Sequence, residues 1–205
     1  MLTIWGRLNS HNVKKVVWAA VETGVEWVRH DIGGQFGYTP EYLAMNPNRL
    51  VPTLVDHQVA DTFSLWESNA ILRYLADAYA PHLWPEGLPA RALADKWMDW
   101  QFAFADAQRD GFLQMVRVAE PDRDAAKIER TIAETNKLMR IMEEALARQP
   151  FLSGEAFGIA DIPMGAYAYT WFKLGFARED VPNIRRWFDA VSARPGFQYV
   201  AIPLT

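Results

Sequence analysis

Between Pro81 and Pro89 the chain changes its hydrophobic rhythm, and this change narrows the available folds more than any other feature. Before it, short apolar runs alternate with one-sided helical patterns. Leu2 to Trp5 reads as a strand, and Val13, Val16, Val17, Ala20 and Val21 fall at helical spacing before Gly24 ends the segment. Val25 to Ile32 alternates apolar and polar residues and suits a second strand. A short helical connection then runs through Glu41 to Met45, and Asn46-Pro47-Asn48 breaks it. Pro52 to Val55 and Val59 to Phe63, separated by Asp56-His57-Gln58, read as a hairpin, with Glu67 to Tyr79 as the helix packed on it. The expected order over residues 1–80 is therefore βαβαββα, a compact α/β unit.

Residues 81–89 are rich in proline and without period, which reads as a linker. From residue 90 to 205 the pattern predicts an all-helical bundle. Leu93, Trp97, Trp100 and Phe104 form one stripe; Ile128, Ile132, Thr135, Met139, Met142 and Leu146 form another. Asp161 to Leu174 and Pro182 to Ala193 supply two further helices, the latter with proline in its first turn and Arg194-Pro195-Gly196 closing it.

Composition removes several classes of function. A net charge of −4 without any basic run gives no electrostatic footprint for nucleic acid or an anionic membrane. No apolar run is long enough to span a bilayer and no leader pattern opens the chain, so a soluble cytoplasmic protein is expected. The chain has no cysteine, which excludes disulfides, thiolate metal sites and redox chemistry on its own sulfur. Any sulfur chemistry has to arrive with a ligand. His11, His30, His57 and His82 lack metal-ligand spacing, so no metal is expected. The glycines of Gly33-Gly34-Gln35-Phe36-Gly37 match neither phosphate-cradling spacing.

Two short stretches point to a ligand instead. In Leu50-Val51-Pro52-Thr53-Leu54 a proline sits among apolar β-formers, a setting in which the backbone of Val51 can pair with an extended peptide. Fifteen residues after that proline, Glu67-Ser68 opens a helix whose unbonded N–H groups attract a carboxylate. Together they suit a short peptide with a charged end.

An α/β unit with a Val-Pro edge and a Glu-Ser helix start, joined to a helical domain, resembles the glutathione transferase superfamily over essentially the whole chain. The resemblance is carried by Asn46-Pro47-Asn48-Arg49-Leu50-Val51-Pro52-Thr53-Leu54, by Glu67-Ser68-Asn69-Ala70-Ile71-Leu72-Arg73-Tyr74-Leu75 and by Gly158-Ile159-Ala160-Asp161-Ile162-Pro163. The run Asn9-Ser10-His11-Asn12-Val13-Lys14-Lys15 looks like that of bacterial cytosolic members, Nu-, Beta- or Theta-like, with a serine and an asparagine at the sulfur.

The resemblance implies a thioredoxin-like first domain with a cis peptide before Pro52. Glutathione as co-substrate would be held by Arg49, Leu50, Val51, Pro52, Glu67 and Ser68, with Ser10 and Asn12 as catalytic residues. Many members carry glycine and lysine directly before the Val-Pro pair, where this chain has Arg49 and Leu50; the carboxylate contact then falls to Arg49 or to a partner subunit. Asp161 is expected to organise the helical domain. In this architecture the electrophile sits between the domains, which makes Trp5, Leu8, Phe36, Phe104, Gln108, Met115 and Trp171 its candidate walls, although core packing is the commoner fate of such residues. A homodimer is expected.

A free thiol titrates near about 8.5, so only a few per cent is thiolate at neutral pH. A hydroxyl from Ser10, an amide from Asn12 and the positive end of the helix starting near Asn12 would each favour the anion. Lowering the thiol by one to two units takes about 1.4–2.7 kcal/mol. Ser10 equally fits a plain N-cap, and Asn12 a turn residue. The expected activity is transfer of the thiolate to an electrophile, as in detoxification, or glutathione-dependent reduction of a disulfide or peroxide. The alternative is a noncatalytic binding or scaffold protein on the same fold.

Overall fold

The computed structural model describes residues 1–60 and 63–205. Its contacts group the chain into two compact units, residues 1–84 with 195–202, and residues 85–194 with 203–205.

The first unit is built on a four-stranded mixed sheet in the order β2-β1-β3-β4, with β1 at Leu2–Trp5, β2 at Trp27–His30, β3 at Thr53–Asp56 and β4 at Ser64–Trp66. β1 runs parallel to β2 and antiparallel to β3, so that Ile4 lies between Arg29 and Leu54. The inner strands β1 and β3 are buried on both faces, which explains their nearly continuous apolar runs, whereas β2 at the edge alternates half-buried and exposed residues. Helices α1 (His11–Thr23), α2 (Pro40–Met45) and α3 (Ser68–Tyr79) complete the expected βαβαββα order. α1 and α3 pack on each other, and Val13, Val16 and Val17 of the one and Ile71, Leu72 and Leu75 of the other are all buried. Each such side chain contributes on the order of 1.5–3 kcal/mol by leaving water. Gly24 stops α1 in the left-handed conformation that glycine adopts without penalty.

Two strand limits differ from the sequence expectation. β2 covers only Trp27–His30 because the Val25 N–H is taken by the Thr23 hydroxyl at 3.1 Å in a turn. The last hairpin strand is Ser64–Trp66 rather than Val59–Phe63. The buried carboxylate of Asp56 accepts the Gln58 N–H at 2.9 Å, and the Asp56 carbonyl accepts the N–H groups of Val59 and Ala60, which curls the chain where pairing was expected. The hydroxyls of Tyr74 and Tyr79 donate to the same carboxylate and tie this turn to α3. Asp61 and Thr62, part of the expected strand, lie outside the described residues.

Residues 195–202 also belong to the first unit. Phe197 meets Trp18 edge-on at 5.3 Å and Tyr199 meets Trp27 at 5.4 Å. Gly196 permits this, since a Cβ there would fall 2.2 Å from the Trp18 ring.

The second unit is helical: α4 (Leu88–Arg117), α5 (Ala125–Leu146), α6 (Asp161–Lys173) and α7 (Pro182–Ser192). Pro89 lies in the first turn of α4, where its missing N–H costs nothing. Thr131, Thr135, Met139, Met142 and Leu146 line the buried face of α5, which packs on α4 and α7. At the head of α6 the buried Asp161 carboxylate accepts from the N–H groups of Leu152 (2.8 Å), Gly158 (2.9 Å) and Ser153 (3.4 Å) and from the Trp187 indole (2.7 Å). One acid thus binds the start of α6 to the preceding loop and to α7. Among the described residues no helix is long and apolar enough to cross a membrane.

Candidate functional site

Three chain segments of the first unit meet at one cavity of about 80 Å³, lined by Asn12 of α1, by Asn46, Leu50, Val51 and Pro52 of the loop before β3, and by Glu67 and Ser68 at the head of α3.

The first segment begins where β1 turns into α1. Gly6 makes the turn with φ of 154°, packed so closely that a Cβ would lie 2.5 Å from a Val13 methyl. Ser10 follows as the N-cap of α1, extended at φ −80° and ψ 127°, and its carbonyl accepts the Lys14 N–H at 2.9 Å. Its hydroxyl makes no cap hydrogen bond. The position is therefore that of a plain cap while the side chain is not spent on the helix. Asn12, two residues on, turns toward the cavity, and its Oδ1 is buried without a hydrogen-bond partner among the described residues. Such an atom costs roughly 1–3 kcal/mol when nothing answers it, which marks it as a place where a ligand group fits.

The second segment, residues 46–53, is held by a polar hub. The Asn46 amide donates to the Leu50 carbonyl and to Thr53 Oγ1, both at 3.1 Å, while its own oxygen accepts the Asn48 N–H at 3.1 Å. Tyr42 on α2 donates its hydroxyl to the same Leu50 carbonyl at 2.5 Å and accepts from Thr53 Oγ1 at 3.0 Å. Burial pushes the Tyr42 phenol up, so it stays a neutral donor. This hub fixes the Val51–Pro52 peptide, which is cis. The N–H and C=O of Val51 take no backbone partner among the described residues. The edge is thus open for an added strand.

The third segment is the head of α3. Glu67 precedes it at φ 72° and ψ 107°, a left-handed conformation that a side-chain-bearing residue adopts at a cost of about 1–3 kcal/mol, and it makes no cap hydrogen bond. The buried Ser68 starts the helix with its N–H groups directed at the cavity end. Arg49 is likewise left-handed, at φ 56°, and exposed.

Three basic groups lie on α1, the helix that brings Asn12 to this cavity. Burial, with Lys14 and Lys15 adding to it, lowers His11 to about 3, so its ring is neutral. Burial lowers Lys14 to about 8, and its ammonium donates to the Val200 carbonyl at 3.1 Å. Lys15 is fully buried and donates to Asn69 Oδ1 at 2.9 Å; burial lowers it to about 7, Glu67 working against that shift and Arg73 with it.

The cavity thus brings together Asn12, Leu50, Val51, Pro52, Glu67 and Ser68, while Ser10 and Arg49 stand outside its lining. Trp5 is half-buried and tilted over His30 at 4.7 Å; Leu8 is half-buried in the turn before α1, and Phe36 is 49% exposed. In the second unit Phe104, Gln108 and Trp171 are interior: Phe104 stacks near Trp100, Gln108 donates to the Tyr167 carbonyl at 3.3 Å, and Trp171 donates to Thr135 at 3.3 Å. Met115 is half-buried, its carbonyl taken by Arg123 at 3.2 Å. Sequence reasoning gave no role to Asn46, Tyr42, Asn69 or Lys15. The signal for Lys15 was a lysine inside the apolar face of α1; that for Asn46 was only an asparagine before a proline.

Comparison with known proteins follows the same lines. Residues 9–78 match the family described as glutathione S-transferase, N-terminal domain, and residues 93–195 that described as glutathione S-transferase, C-terminal domain. The chain is 37% identical over 206 residues to glutathione S-transferase GstB of Escherichia coli (strain K12), covering 98% of both proteins. It is 30% identical over 190 residues to the disulfide-bond oxidoreductase YfcG of the same strain, covering 91% of this chain and 87% of that protein. Among solved structures, the theta class glutathione S-transferase of Xanthomonas axonopodis pv. citri with glutathione bound superimposes with a TM-score of 0.93 at 45% identity, covering 100% of this chain and 99% of that one.

Proposed function

Because the chain belongs to the glutathione S-transferase family, we propose that it binds glutathione along the Val51 edge and transfers the tripeptide's thiolate to an electrophile. The observation that carries this reading is the meeting of Asn12, Val51 and Ser68 at one cavity. The cysteinyl backbone pairs with the N–H and C=O of Val51, Leu50 and Pro52 shape the edge, and the γ-glutamyl carboxylate sits on the open N–H groups at Ser68 beside Glu67. Arg49, exposed next to the cavity, takes the other carboxylate. We take residues 1–80, joined by the returning segment 195–202, as the glutathione-binding domain and residues 90–194 as the helical one, with 81–89 as linker. We take the enzyme to work in the cytoplasm, where glutathione is the dominant thiol.

The sulfur then needs a donor. Asn12 offers its amide and the first turn of α1 its partial positive charge, while Ser10 keeps an uncommitted hydroxyl at the N-cap. Deprotonation leaves the proton to solvent, and the anion attacks the electrophilic atom of the second substrate as its leaving group departs. Trp5, Leu8 and Phe36 are the first unit's candidates for the electrophile side. The similarity to a disulfide-bond oxidoreductase supports a second outcome, in which the same thiolate attacks a disulfide. Titration calorimetry with glutathione, followed by turnover of Asn12→Ala and Ser10→Ala on an aryl halide and on a mixed disulfide, tests the proposal. Micromolar to low millimolar binding with a turnover loss in Asn12→Ala is expected; no binding at 10 mM glutathione, about the upper end of biological concentrations, refutes it in favour of a scaffold.

The second unit carries a groove of about 450 Å³ between α4 and α5, walled by Trp97, Trp100 and Ile141 and flanked by Lys96, Glu144 and Arg148. Ile141 in its wall is 47% exposed, and Leu93 earlier on α4 is 59% exposed. We assign this face to the homodimer. Ile141→Glu then lowers the sedimenting mass from that of two chains to one; an unchanged mass would remove the assignment.

A further inference from the structure

The cavity would receive a ligand carboxylate, yet the one charged side chain in its lining is Glu67, an acid. Leu50, exposed at its rim, brings no charge. The positive charge lies one layer deeper. Lys15 reaches from α1 to the second residue of α3, where Asn69 Oδ1 accepts from its ammonium at 2.9 Å, one residue beyond the Ser68 that starts the helix. We propose that Lys15 is a positioning residue for glutathione: its buried ammonium fixes Asn69, and with it the opening turn of α3, and supplies from behind the cavity the positive charge that its lining lacks. This inference rests on glutathione occupying the cavity.

The surrounding charges make the arrangement sensitive to the ligand. Glu67 before α3 and Arg73 on it act on the Lys15 ammonium electrostatically, and Lys15 in turn acts, with Lys14, on His11 of the same helix. His11 is neutral, Glu67 favours the charged lysine, and Arg73 opposes it. Burial has already lowered Lys15 to about 7, so between pH 7 and 8 a growing share of the free protein holds it neutral. A carboxylate arriving at the head of α3 favours the ammonium, and binding then takes up a proton from the buffer.

S-methylglutathione isolates this effect, because it keeps both carboxylates and has no thiol proton to release. Calorimetric titration at pH 8 in two buffers of different ionisation enthalpy reads the proton count directly. Wild type is expected to take up a substantial fraction of a proton and to bind S-methylglutathione about five- to tenfold more weakly at pH 8 than at pH 6. Lys15→Met is expected to bind about tenfold more weakly than wild type at pH 6, to take up markedly less, and to lose most of the pH dependence. Its melting temperature should not fall in proportion, since methionine removes a buried charge while keeping the length of the stem. Equal affinity and equal proton uptake in wild type and Lys15→Met overturn the inference while leaving the glutathione reading intact. Absence of S-methylglutathione binding by wild type overturns both. Should Lys15→Met not fold, the wild-type proton count decides alone: zero uptake at pH 8 with clear binding refutes the role of Lys15.

Discussion

Helices α6 and α3 begin in opposite ways. At α6 the protein answers its own donors: Asp161 gathers three backbone N–H groups and an indole, and the junction is closed and buried. At α3 the residue in front, Glu67, sits in a costly left-handed conformation and caps nothing, while a cavity stands before Ser68. The sequences look alike, a polar residue or two ahead of an apolar helix, yet one start is closed by the protein's own groups and the other is left open at a cavity. Polar groups satisfied within the chain contribute stability; groups held in place and left unanswered cost stability and are available to bind.

The contrast is best broken by mutation at each end. The largest effect is expected from Asp161→Ala, which strands four buried donors and lowers stability by on the order of 3–5 kcal/mol in urea unfolding, as loss of one side of a buried charged network does. Next comes Asn46→Ala, which removes the pin of the Val51 loop. We expect about 1–3 kcal/mol of lost stability from its buried partners and glutathione affinity weakened about tenfold by calorimetry. Asn12→Ala should behave differently, with kcat/KM reduced about 10- to 100-fold, in line with loss of a hydrogen bond to a developing anion, and stability unchanged or raised, since a buried unanswered oxygen is removed. A melting temperature that fell together with activity would make Asn12 structural.

Smaller and of opposite sign is Glu67→Gly. Relief of the left-handed strain should stabilise the protein by about 1 kcal/mol while weakening glutathione binding; a loss of stability would show that the conformation is not strained. Last comes the effect of pH on the unliganded protein, a slope rather than a single step. Lys14 and Lys15 titrate near about 8 and 7 when folded and near 10.5 ordinarily, so the native state binds fewer protons than the unfolded chain in the interval between. Stability should therefore rise with pH from 7 toward 9, the penalty of the buried charges being present in full below 7. Lys15→Met should keep only the shallower slope due to Lys14, and an unchanged slope would remove Lys15 from this account.

Much of this was legible in the chain and some was not. Periodicity was enough for the βαβαββα order and for the helices after residue 88, because one-sided burial leaves a one-sided pattern. The hairpin was misplaced at Val59 to Phe63 because Asp56, an unremarkable acid in sequence, folds the chain back on its own carboxylate and recruits Tyr74 and Tyr79 from a distant helix. The cavity's two rims, Val51-Pro52 and Glu67-Ser68, could be recognised because each is a local backbone feature with a local residue signature. Asn46 and Lys15 could not, since their meaning lies in partners brought close only by folding, the Leu50 carbonyl and Asn69. For the same reason Ser10 reads in sequence equally as a cap or a sulfur donor; in the fold it holds the N-cap position with a hydroxyl that makes no cap bond.

Thiolate absorbance near 240 nm, titrated against pH for glutathione bound to wild type and to Asn12→Ala, goes to the centre of the matter. We expect the bound thiol of wild type to titrate one to two units below the free value of about 8.5, and that of Asn12→Ala to return most of the way toward it. A bound thiol that titrates like free glutathione, or one equally acidic in both proteins, would contradict the assignment of sulfur activation to this cavity.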